Sequence, residues 1–418
     1  MNIKEKRLVR KIKNYKIPQN WDKCEMGKLF NFSGGMSFSR NNLSGIGFPY
    51  LHYGDIHTSR KNYINIKNEK NLLPKLNIPL HSIKEESLLE DGDVVFVDAS
   101  EDYEGTSKCL VIENNENIPF ISGLHTIVAK SKDKTIRNNY KKYCFENWDI
   151  KRQFAFFVTG ISVFGLKKTN IANIIIPLPS LLEQQKIAEI LTTCDKLIES
   201  KEKIIEQKKL QKKHFMQALL DPKSKNFRRL IGFNDEWKEV KLGECFKERK
   251  ENNCTMQLLS ITSEKGVIDR REIERKDNSN KDKSKYKVIL KGDIGYNTMR
   301  MWQGVSGVST LNGIVSPAYT ICKPNADICP EFFGYLFKLQ SVINIFYRYS
   351  QGLVNDTLGL KYTPFSKLKF HIPKHEEQKV IANVLSISDK EINLLEKELV
   401  QQKLKKKALM QLLLTGKV

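Results

Sequence analysis

The chain has 418 residues and a formal net charge of +22, from 70 Lys and Arg against 48 Asp and Glu. A single hydrophobic core does not grow to this length, so at least two domains are expected. The sequence has no apolar run long enough for a membrane helix and no signal peptide, which argues against a membrane protein. No two of the eight cysteines are separated by only two residues, which favours a reduced, cytoplasmic protein without a zinc site.

The basic residues are unevenly distributed along the chain. Residues 1–20 carry seven bases against one acid, and residues 237–375 carry 23 against 14. Such an excess favours a polyanionic partner, most often nucleic acid. The alternative is a Lys-, Asn- and Ile-rich composition that reflects the genome rather than a partner. Residues 1–20 are predicted to form a basic N-terminal helix that ends near Ile17-Pro18.

Two globular parts, residues 21–180 and 237–375, open with the same pattern. The shared opening residues are Trp21, Gly27 and Phe30 in the first part and Trp237, Gly243 and Phe246 in the second. Short apolar runs bounded by turns predict strands in both parts. These strands are predicted at Tyr50–Ile56, Asp93–Val97, Thr126–Ala129 and Asn173–Pro177, then at Gln257–Thr262, Asp293–Tyr296, Tyr319–Cys322 and Leu368–Pro373. The expected fold class is α+β, with twisted, mostly antiparallel sheets.

Each globular part leads into a long helix, predicted at 181–220 and 376–414, with a linker at 221–236 and a tail at 415–418. The helices are copies of each other, since EQQKIAEIL at Glu183–Leu191 matches EEQKVIANVL at Glu376–Leu385. Apolar residues recur in both at the alternating spacing of four and three that is typical of a coiled-coil seam. The seam residues are Ile187, Leu191, Ile198, Ile205, Phe215 and Leu219 in the first helix and Ile381, Leu385, Ile392, Leu395, Leu399, Leu409 and Leu413 in the second.

The two helices are predicted to pair with each other in an antiparallel coiled coil. A helix of about 38 residues is ~57 Å long and needs a partner for its apolar stripe. A parallel pair would require the linker 221–236 to span the whole helix, and it reaches only ~53 Å when fully stretched. The unit of Trp, globular part and helix therefore forms a pseudo-two-fold tandem repeat. Lys201, Lys208, Lys212 and Lys406 interrupt the seam, and their stems are expected to pack while their ammonium groups reach water.

Motifs for catalysis are missing from the sequence. It has no GxxxxGK[ST] phosphate loop, no HExxH, no GxSxG and no Asn/Asp-Pro-Pro-aromatic loop of an amino-methyltransferase. His371 and His375 are separated by Pro373, which breaks the helix that would align both rings on a metal ion. The chain is therefore predicted to have no catalytic residues and to bind no metal or cofactor itself.

Basic and polar side chains near turns are candidates for contacts with DNA, because Arg and Lys hold phosphates while Arg, Gln, Asn and His read base edges. In the first part they are Arg40, Tyr50, His52, Asp55, Arg60, Lys61, Lys108, Lys167 and Lys168. In the second part they are Arg270, Arg271, Lys276, Arg300, Gln303, Arg348, Gln351, Lys361 and Tyr362. Neighbouring glycines such as Gly34-Gly35 are interpreted as letting backbone approach a phosphate. For any single residue the simpler interpretation is a solvated surface group, so the prediction rests on the sets.

With these features the sequence resembles the specificity subunits of type I restriction–modification systems. The resemblance is carried by the tandem arrangement, the two Trp-x5-Gly-x2-Phe openings, and the exits PLPSLLEQQKIAEIL and HIPKHEEQKVIANVL into helices ending FMQALL and LMQLLLTGKV. It covers nearly the whole chain. It implies two target-recognition domains that each read one half of a bipartite, asymmetric site in double-stranded DNA, with the helix pair as a ruler.

The resemblance also implies partners. Two modification (methyltransferase) subunits would dock on the helix pair, and restriction subunits that translocate and cut DNA would join them. S-adenosylmethionine, ATP and Mg²⁺ would then be bound by those partners, and this chain would catalyse nothing.

Two other classes of function stay open on the residues alone. One is a non-catalytic protein–protein adaptor with two recognition heads on a helical stalk, whose ligands would be acidic proteins. The other is an enzyme with an unrecognised methylase or nuclease site, for which Glu272, Glu274 and Lys276 are the nuclease candidates. Binding of random duplex DNA would separate the DNA reader from the adaptor, and activity of the chain alone would support the enzyme.

Overall fold

The computed structural model describes residues 17–101, 105–160, 163–274, 279–353 and 357–417. The helix predicted at residues 1–20 falls almost entirely outside these ranges, and so does Lys276. Contacts divide the chain into two compact units, Met1–Ser200 with Leu399–Val418, and Lys201–Glu398. Each unit therefore contains one globular part together with a segment of each long helix.

The first unit consists of short strands and helices that precede and flank the first long helix. Its strands are β1 (Asp22–Glu25), β2 (Phe30–Gly34), β3 (Leu43–Ser44), β4 (Phe48–Leu51), β5 (Tyr63–Asn65), β6 (Lys75–Leu76), β7 (Val94–Val97), β8 (Ala99–Ser100), β9 (Cys109–Glu113), β10 (Ile121–Ser122), β11 (Thr126–Ser131), β12 (Phe164–Gly165) and β13 (Ile175–Leu178). Its helices are α1 (Met26–Leu29), α2 (Tyr53–Thr58), α3 (Ile66–Glu69), α4 (Asn138–Cys144), α5 (Trp148–Phe157), α6 (Lys168–Ala172) and the start of α7 (Leu181–Leu220).

The second unit begins and ends with the same elements as the first but has fewer strands and helices between them within the described residues. Its strands are β14 (Lys238–Lys241), β15 (Phe246–Glu248), β16 (Leu259–Thr262), β17 (Gly266–Asp269), β18 (Lys287–Ile289), β19 (Ile294–Asn297), β20 (Ser306–Val308), β21 (Gly313–Val315), β22 (Tyr319–Pro324) and β23 (Lys369–Ile372). Its helices are α8 (Leu242–Cys245), α9 (Pro330–Leu336), α10 (Gln340–Tyr349), α11 (Tyr362–Ser366) and most of the second long helix, α12 (His375–Thr415). Short 3-10 turns occur in both units at Arg40–Asn42, Leu80–Ser82, Glu85–Ser87, Gly105–Ser107, Arg270–Glu272 and Met301–Gln303.

A five-stranded sheet in the order β2-β11-β7-β9-β5 forms the centre of the first unit. Its pairings are antiparallel except that of β5 with β9. Successive side chains of a strand point to opposite faces, and all four residues of β7 are buried. Val94 and Phe96 pack in the core beneath α4 and α5, whereas Val95 and Val97 pack in a second core on the other face. Strands that alternate along the chain with those of the five-stranded sheet form a smaller sheet in the order β10-β4-β6-β3. In this sheet β10 is parallel to β4.

The second unit is centred on a four-stranded antiparallel sheet in the order β15-β22-β19-β20. Its core is rich in phenylalanine, and the rings of Phe246 and Phe333 lie 4.9 Å apart in an edge-to-face contact. Such aromatic pairs contribute roughly 0.5–1.5 kcal/mol beyond their buried area. Two further antiparallel pairs, β16 with β17 and β18 with β21, are formed by strands that lie between β15 and β22 in the sequence.

The repeat is visible where each globular part meets its long helix. The opening strand β1 pairs antiparallel with the exit strand β13, and β14 pairs antiparallel with β23. The opening strand is therefore held to the strand that leads directly into α7 or α12. The prediction of an α+β fold with mostly antiparallel sheets is confirmed, and the matched ends of the repeat have a common structural cause.

One predicted strand is wrong in its second half. Tyr50–Ile56 was expected to be a strand, but β4 ends at Leu51 and α2 begins at Tyr53. His52 caps this helix, because the Gly54 N–H donates to its Nδ1 at 3.1 Å and its own N–H donates to Asp55 Oδ2 at 2.9 Å. These local side-chain to backbone bonds satisfy donors that a helix start leaves open and so stop the strand.

The long helices have clear end signals. α7 spans 40 residues and begins after Ser180, whose Oγ accepts from the Glu183 N–H at 3.3 Å. α12 spans 41 residues and ends at Thr415, and the next residue, Gly416, has a φ of 64°, the left-handed conformation common after helices. Among the helices in the described part of the chain, none combines the length and apolarity that crossing a bilayer requires.

Candidate nucleic-acid interface

In the first unit the start of α7 packs against the end of α12. Ile187 and Leu191 share a core with Leu413, and Leu409 packs against it. Farther along α7, the Lys406 ammonium forms an ion pair with Asp195. Leu191 is fully buried, and burial of a leucine side chain contributes roughly 1.5–3 kcal/mol.

In the second unit the remaining segments of the same helices pair antiparallel. Three ion pairs show that the helices are antiparallel, because the residue number of the α12 partner falls as the residue number on α7 rises. They are Lys201 with Glu398 at 2.6 Å, Lys208 with Glu391 at 2.6 Å, and Lys212 with Asp389. The predicted seam residues in both units are buried or half-buried, with Ile205, Ile381, Leu385 and Ile392 fully so.

The structure corrects the expectation for the seam lysines. Lys201, Lys208, Lys212 and Lys406 do not simply extend into water, since each ammonium lies against a carboxylate of the other helix. At Lys201 and Lys406 the side chains are only 18% and 19% exposed. Their stems therefore continue the seam while their charges are paired across it.

Each globular part is attached to its helix by the same side chains. The Trp21 indole N–H donates to Glu183 Oε1 at 3.0 Å, and the Trp237 indole N–H donates to Glu377 Oε1 at 3.4 Å. One residue on, the buried amides of Gln184 and Gln378 bond to backbone in the globular parts. The identical openings and exits in the sequence are the residues of this attachment.

Several predicted DNA contacts of the first part lie inside the protein. Tyr50 is fully buried, and its hydroxyl donates to the Met36 carbonyl at 2.7 Å. His52 is 5% exposed and caps α2, and burial lowers its pKa below the ordinary value. Asp55 bonds the His52 backbone, and burial raises its pKa. Tyr50 cannot touch a ligand, and His52 and Asp55 shape the loop instead of forming its surface.

The glycines beside Arg40 also have a structural role. A Cβ on Gly35 would lie 1.9 Å from the Gly123 carbonyl oxygen, which leaves no room for any side chain. The interpretation that Gly35 lets backbone approach a phosphate is therefore replaced by close packing against the β10–β11 turn.

The remaining candidates of the first part are exposed. They are Arg40, Arg60, Lys61, Lys108, Lys167 and Lys168. Lys61 lies 3.2 Å from Glu199 on α7, so the loop after α2 faces the long helix of its own unit. The Lys108 ammonium donates to the His57 carbonyl at 2.7 Å, and Lys168 lies next to Gly34.

A cluster of imidazoles around Tyr53 escaped the sequence prediction. The Tyr53 ring lies 4.3 Å from His52, 5.9 Å from His57 and 5.4 Å from His125, measured between ring centres. His125 has a φ of 56°, which is unusual for a residue with a side chain, and its Nδ1 lies 3.2 Å from Asp98 Oδ1. Nothing in the sequence signals this backbone conformation. We call Tyr53, His57, Lys108 and His125 the histidine patch.

In the second part, the predicted residues fall into two groups. Arg270 and Arg271 follow β17, and Arg270 lines a groove of about 1020 Å³ together with Ser260, Asn280 and Lys285. Arg271 is exposed and paired with Asp269, and this guanidinium lowers the pKa of Asp269 to about 2. The groove thus has both hydrogen-bonding and cationic groups along its walls.

The second group lies where α10 packs on the Met301–Gln303 turn. Arg300 precedes this turn, Gln303 is its last residue, and Arg348 lies near the end of α10. Trp302 joins the two elements, since its ring lies 5.9 Å from that of Tyr347. These residues were predicted separately and the structure brings them together.

Three predicted residues of the second part lie outside these groups. Gln351 follows α10 and is tied by its backbone to Gly359 at 3.0 Å. Lys361 is exposed, whereas the Tyr362 hydroxyl donates to the Phe246 carbonyl at 2.6 Å and so supports the core. Tyr362 is half-buried, so its hydroxyl already has a structural partner while part of its ring stays accessible.

The chemistry of these surfaces is that of binding. No group of three or more His, Cys, Asp or Glu side chains that could hold a metal ion occurs within the described ranges. His371 lies in β23 and His375 begins α12, on either side of Pro373, as the sequence suggested. Cationic, amide and aromatic groups on two separate units are suited to phosphates and bases.

Comparison with known proteins agrees with this chemistry. The type I restriction modification DNA specificity domain model matches the chain twice, at residues 18–209 and 234–405. A Methanocaldococcus jannaschii protein provisionally named type I restriction enzyme MjaX specificity subunit is 23% identical over 96% of this chain and 94% of its own. A second protein of that organism, the type I restriction enzyme MjaVIII specificity subunit, is 28% identical over 66% of this chain and 70% of its own.

Solved structures show the same fold. The S subunit of a type I restriction–modification system from M. genitalium matches 95% of this chain and 97% of its own, with a TM-score of 0.52 at 14% identity. A chain from a study of complex assembly and conformational transition of the type I R-M system matches 97% and 100%, with a TM-score of 0.61 at 13% identity. This chain is a member of the type I restriction–modification DNA specificity family, the non-catalytic recognition class that its sequence predicted.

Proposed function

We propose that the chain is the subunit that selects the DNA sequence for a type I restriction–modification complex, and that it reads a bipartite site whose two halves differ. The observation that carries the proposal is that two dissimilar globular parts are attached by matched Trp–Glu and Gln contacts to a matched pair of helices. The two repeats share the residues that attach the globular part but differ in the globular part itself. This arrangement suits two domains that both bind DNA and recognise different base sequences.

For the first half-site we propose the histidine patch with Arg40 as the reading surface. His125 and His57 offer imidazole groups for base edges, and Lys108 and Arg40 offer charge for phosphates. A strained backbone at His125 is expected where the position of a side chain matters more than local stability.

For the second half-site we propose two neighbouring surfaces. One is the groove lined by Arg270 and Lys285, and the other is the surface of Arg300, Gln303 and Arg348. The groove also includes Val305, two residues beyond Gln303, so the two surfaces adjoin. Because these side chains differ in kind from the histidine patch, the two half-sites are expected to differ in sequence.

The helix pair is proposed to act as the spacer. A helix of 40 residues is ~60 Å long at ~1.5 Å per residue, which corresponds to at most about 17 base pairs at ~3.4 Å each. Antiparallel pairing in each unit supports a fold in which two readers are held by one rod. A fixed rod predicts a fixed number of unread base pairs between the half-sites.

Partner docking is proposed on the outer faces of the same helices. In the first unit Ile190 and Leu197 of α7 are exposed, seven residues apart. In the second unit Val380, Ile387 and Leu394 of α12 are exposed at the same spacing. Apolar side chains at heptad spacing away from the seam suit helices of another protein. We assign these faces to two modification subunits, with restriction subunits joining them, and S-adenosylmethionine, ATP and Mg²⁺ to those partners.

Exchange of one globular part tests the proposal. Residues 21–180 are replaced by the corresponding part of a relative, the chain is expressed with its modification subunits, and the methylated motif is determined by sequencing. We expect one half of the motif to change while the other half and the spacer length stay the same. A motif that is unchanged, or changed in both halves, would contradict the assignment of one half-site to each part.

A further inference from the structure

Three side chains from three elements meet in the first unit. Tyr143 is on α4 of the globular part, Asp195 is on α7 and Lys406 is on α12. The Tyr143 hydroxyl donates to Asp195 Oδ2 at 2.9 Å, and the Lys406 ammonium pairs with Asp195 Oδ1. The same ammonium lies 5.5 Å from the centre of the Tyr143 ring. One carboxylate thus ties the globular part to both helices.

The second unit repeats this arrangement with the helices exchanged. Tyr335 is on α9, Asp389 is on α12 and Lys212 is on α7. The Tyr335 hydroxyl donates to Asp389 Oδ2 at 2.8 Å, the Lys212 ammonium pairs with Asp389 Oδ1, and it lies 5.2 Å from the Tyr335 ring centre. We call the two sets, Tyr143–Asp195–Lys406 and Tyr335–Asp389–Lys212, the first and second joints.

The joints are partly shielded from water. Tyr143 is 2% exposed, and the side chains of Asp195 and Lys406 are 25% and 19% exposed. Burial first, and then the neighbouring carboxylate, raise the pKa of the Tyr143 hydroxyl well above its ordinary value. The hydroxyl therefore stays protonated and can donate to Asp195, while it also lies 3.0 Å from Thr192 Oγ1 on α7, from which it can accept. The same causes act on Tyr335.

A gain in stability does not by itself explain why lysines occupy seam positions in the two joints. Lys212 and Lys406 occupy positions at which the seam pattern calls for apolar residues. Replacing a buried ion pair by well-packed apolar side chains is often neutral or stabilising. A polar residue at a seam position instead fixes one geometry, because its partner is available in only one register and one orientation.

Each joint has a property that an ordinary ion pair between helices lacks. Lys209 and Glu396 also pair across the helices of the second unit, at 2.6 Å, but their side chains are 57% and 42% exposed, and among the described residues no group of the globular part joins them. In the joints the tyrosine belongs to the globular part. Its hydrogen bond is satisfied only when that part sits on the helices at one angle.

We propose that the two joints are positioning devices that fix the angle of each globular part on the helix pair and thereby set how strictly the protein measures the spacer between half-sites. This inference rests on the proposed function, since it concerns the spacing of the two half-sites. Tyr143 and Asp195 are positioning residues for the first half-site, and Tyr335 and Asp389 are the corresponding residues for the second.

The test uses the full chain in complex with its modification subunits. The variants are Tyr143→Phe, Asp195→Asn, Tyr335→Phe and Asp389→Asn, and the control is Lys209→Met with Glu396→Gln. Methylation is measured on duplexes that carry the cognate motif with its native spacer or with one base pair more or fewer. The readout is the ratio of rates on native and altered spacers.

We expect the wild type and the control to discriminate strongly between spacers. Each joint variant should lose roughly tenfold of that discrimination, the size expected for one hydrogen bond to a charged group. The rate on the native spacer should fall less than the discrimination does.

Two outcomes would overturn the inference, and they are distinguishable. If joint variants melt at a lower temperature but keep the spacer ratio of the wild type, the joints only stabilise the fold. If the wild type itself methylates no bipartite motif, the proposed function fails and the joint proposal fails with it.

Discussion

His125 belongs to the surface that we propose reads the first half-site, and its backbone conformation is unusual. Its left-handed backbone costs a non-glycine residue free energy, on the order of 1–3 kcal/mol, and persists only where the surroundings impose it. Gly123 of the same turn packs closely on Gly35, and the His125 side chain lies against Asp98 and Tyr53. The fold thus presents an imidazole in a fixed position at the surface.

Replacing His125 by glycine tests this role without straining the turn. Glycine adopts a φ of 56° readily, so His125→Gly should fold at least as stably as the wild type. It should weaken binding to the cognate duplex roughly tenfold, as loss of one base contact does, with the change confined to the first half-site. Binding is measured by titration of labelled duplexes mutated in one half-site at a time.

The matched control is His81→Gly, at an exposed position of the same globular part outside the histidine patch. If His125→Gly and His81→Gly bind alike, the histidine patch does not read the DNA.

Residue type alone could not distinguish side chains that are candidates for DNA contacts from side chains that stabilise the fold. Tyr50, His52 and Tyr362 looked like base readers because they carry polar groups beside turns. The structure buries Tyr50 and His52 and directs the Tyr362 hydroxyl to a backbone carbonyl. A side chain with an apolar body and a polar tip suits either place, and only the tertiary partner decides.

At the scale of elements, the long helices are stabilised by an internal seam and carry a second, exposed apolar stripe. Leu191 and Leu385 are fully buried at equivalent places in the two units, while Leu394 is 59% exposed on the same helix as Leu385. The two kinds of leucine should respond differently to truncation, because only the buried ones lose packing.

Leu191→Ala and Leu385→Ala are each expected to lower the free energy of unfolding by about 2–5 kcal/mol. Leu394→Ala should change it by at most ~0.5 kcal/mol but weaken assembly with the modification subunit. Urea unfolding of the chain and co-purification of the partner measure the two effects. Equal destabilisation by Leu385→Ala and Leu394→Ala would contradict the assignment of seam and outer face.

The helices could be predicted closely because their signal is local. The apolar spacing that predicted them repeats every three or four residues, and the Ser180–Glu183 cap that the structure shows is equally local. The short strands were harder, as the strand predicted through Ile56 shows, because a two- to six-residue strand is fixed by partners far away in the sequence. Histidine-patch contacts such as Tyr53 with His125 depend on that pairing and were missed.

At the scale of the whole molecule, one family architecture carries two unlike globular parts, which we propose to be the readers of the two half-sites. The matched openings, attachments and joints recur in both units, whereas the five-stranded sheet of the first has a four-stranded counterpart in the second. This pattern separates what holds a reader from what the reader recognises. It explains why the ends of the repeat could be aligned and its middles could not.

The most direct test of this account is the methylated motif of a host that expresses the chain with its modification subunits, determined by methylation-aware sequencing of the genome. A chain with two unlike readers on a fixed helix pair should give a single motif made of two unlike half-sites with a constant number of unread base pairs between them. One continuous motif, a palindrome with identical halves, or half-sites at variable spacing would contradict it.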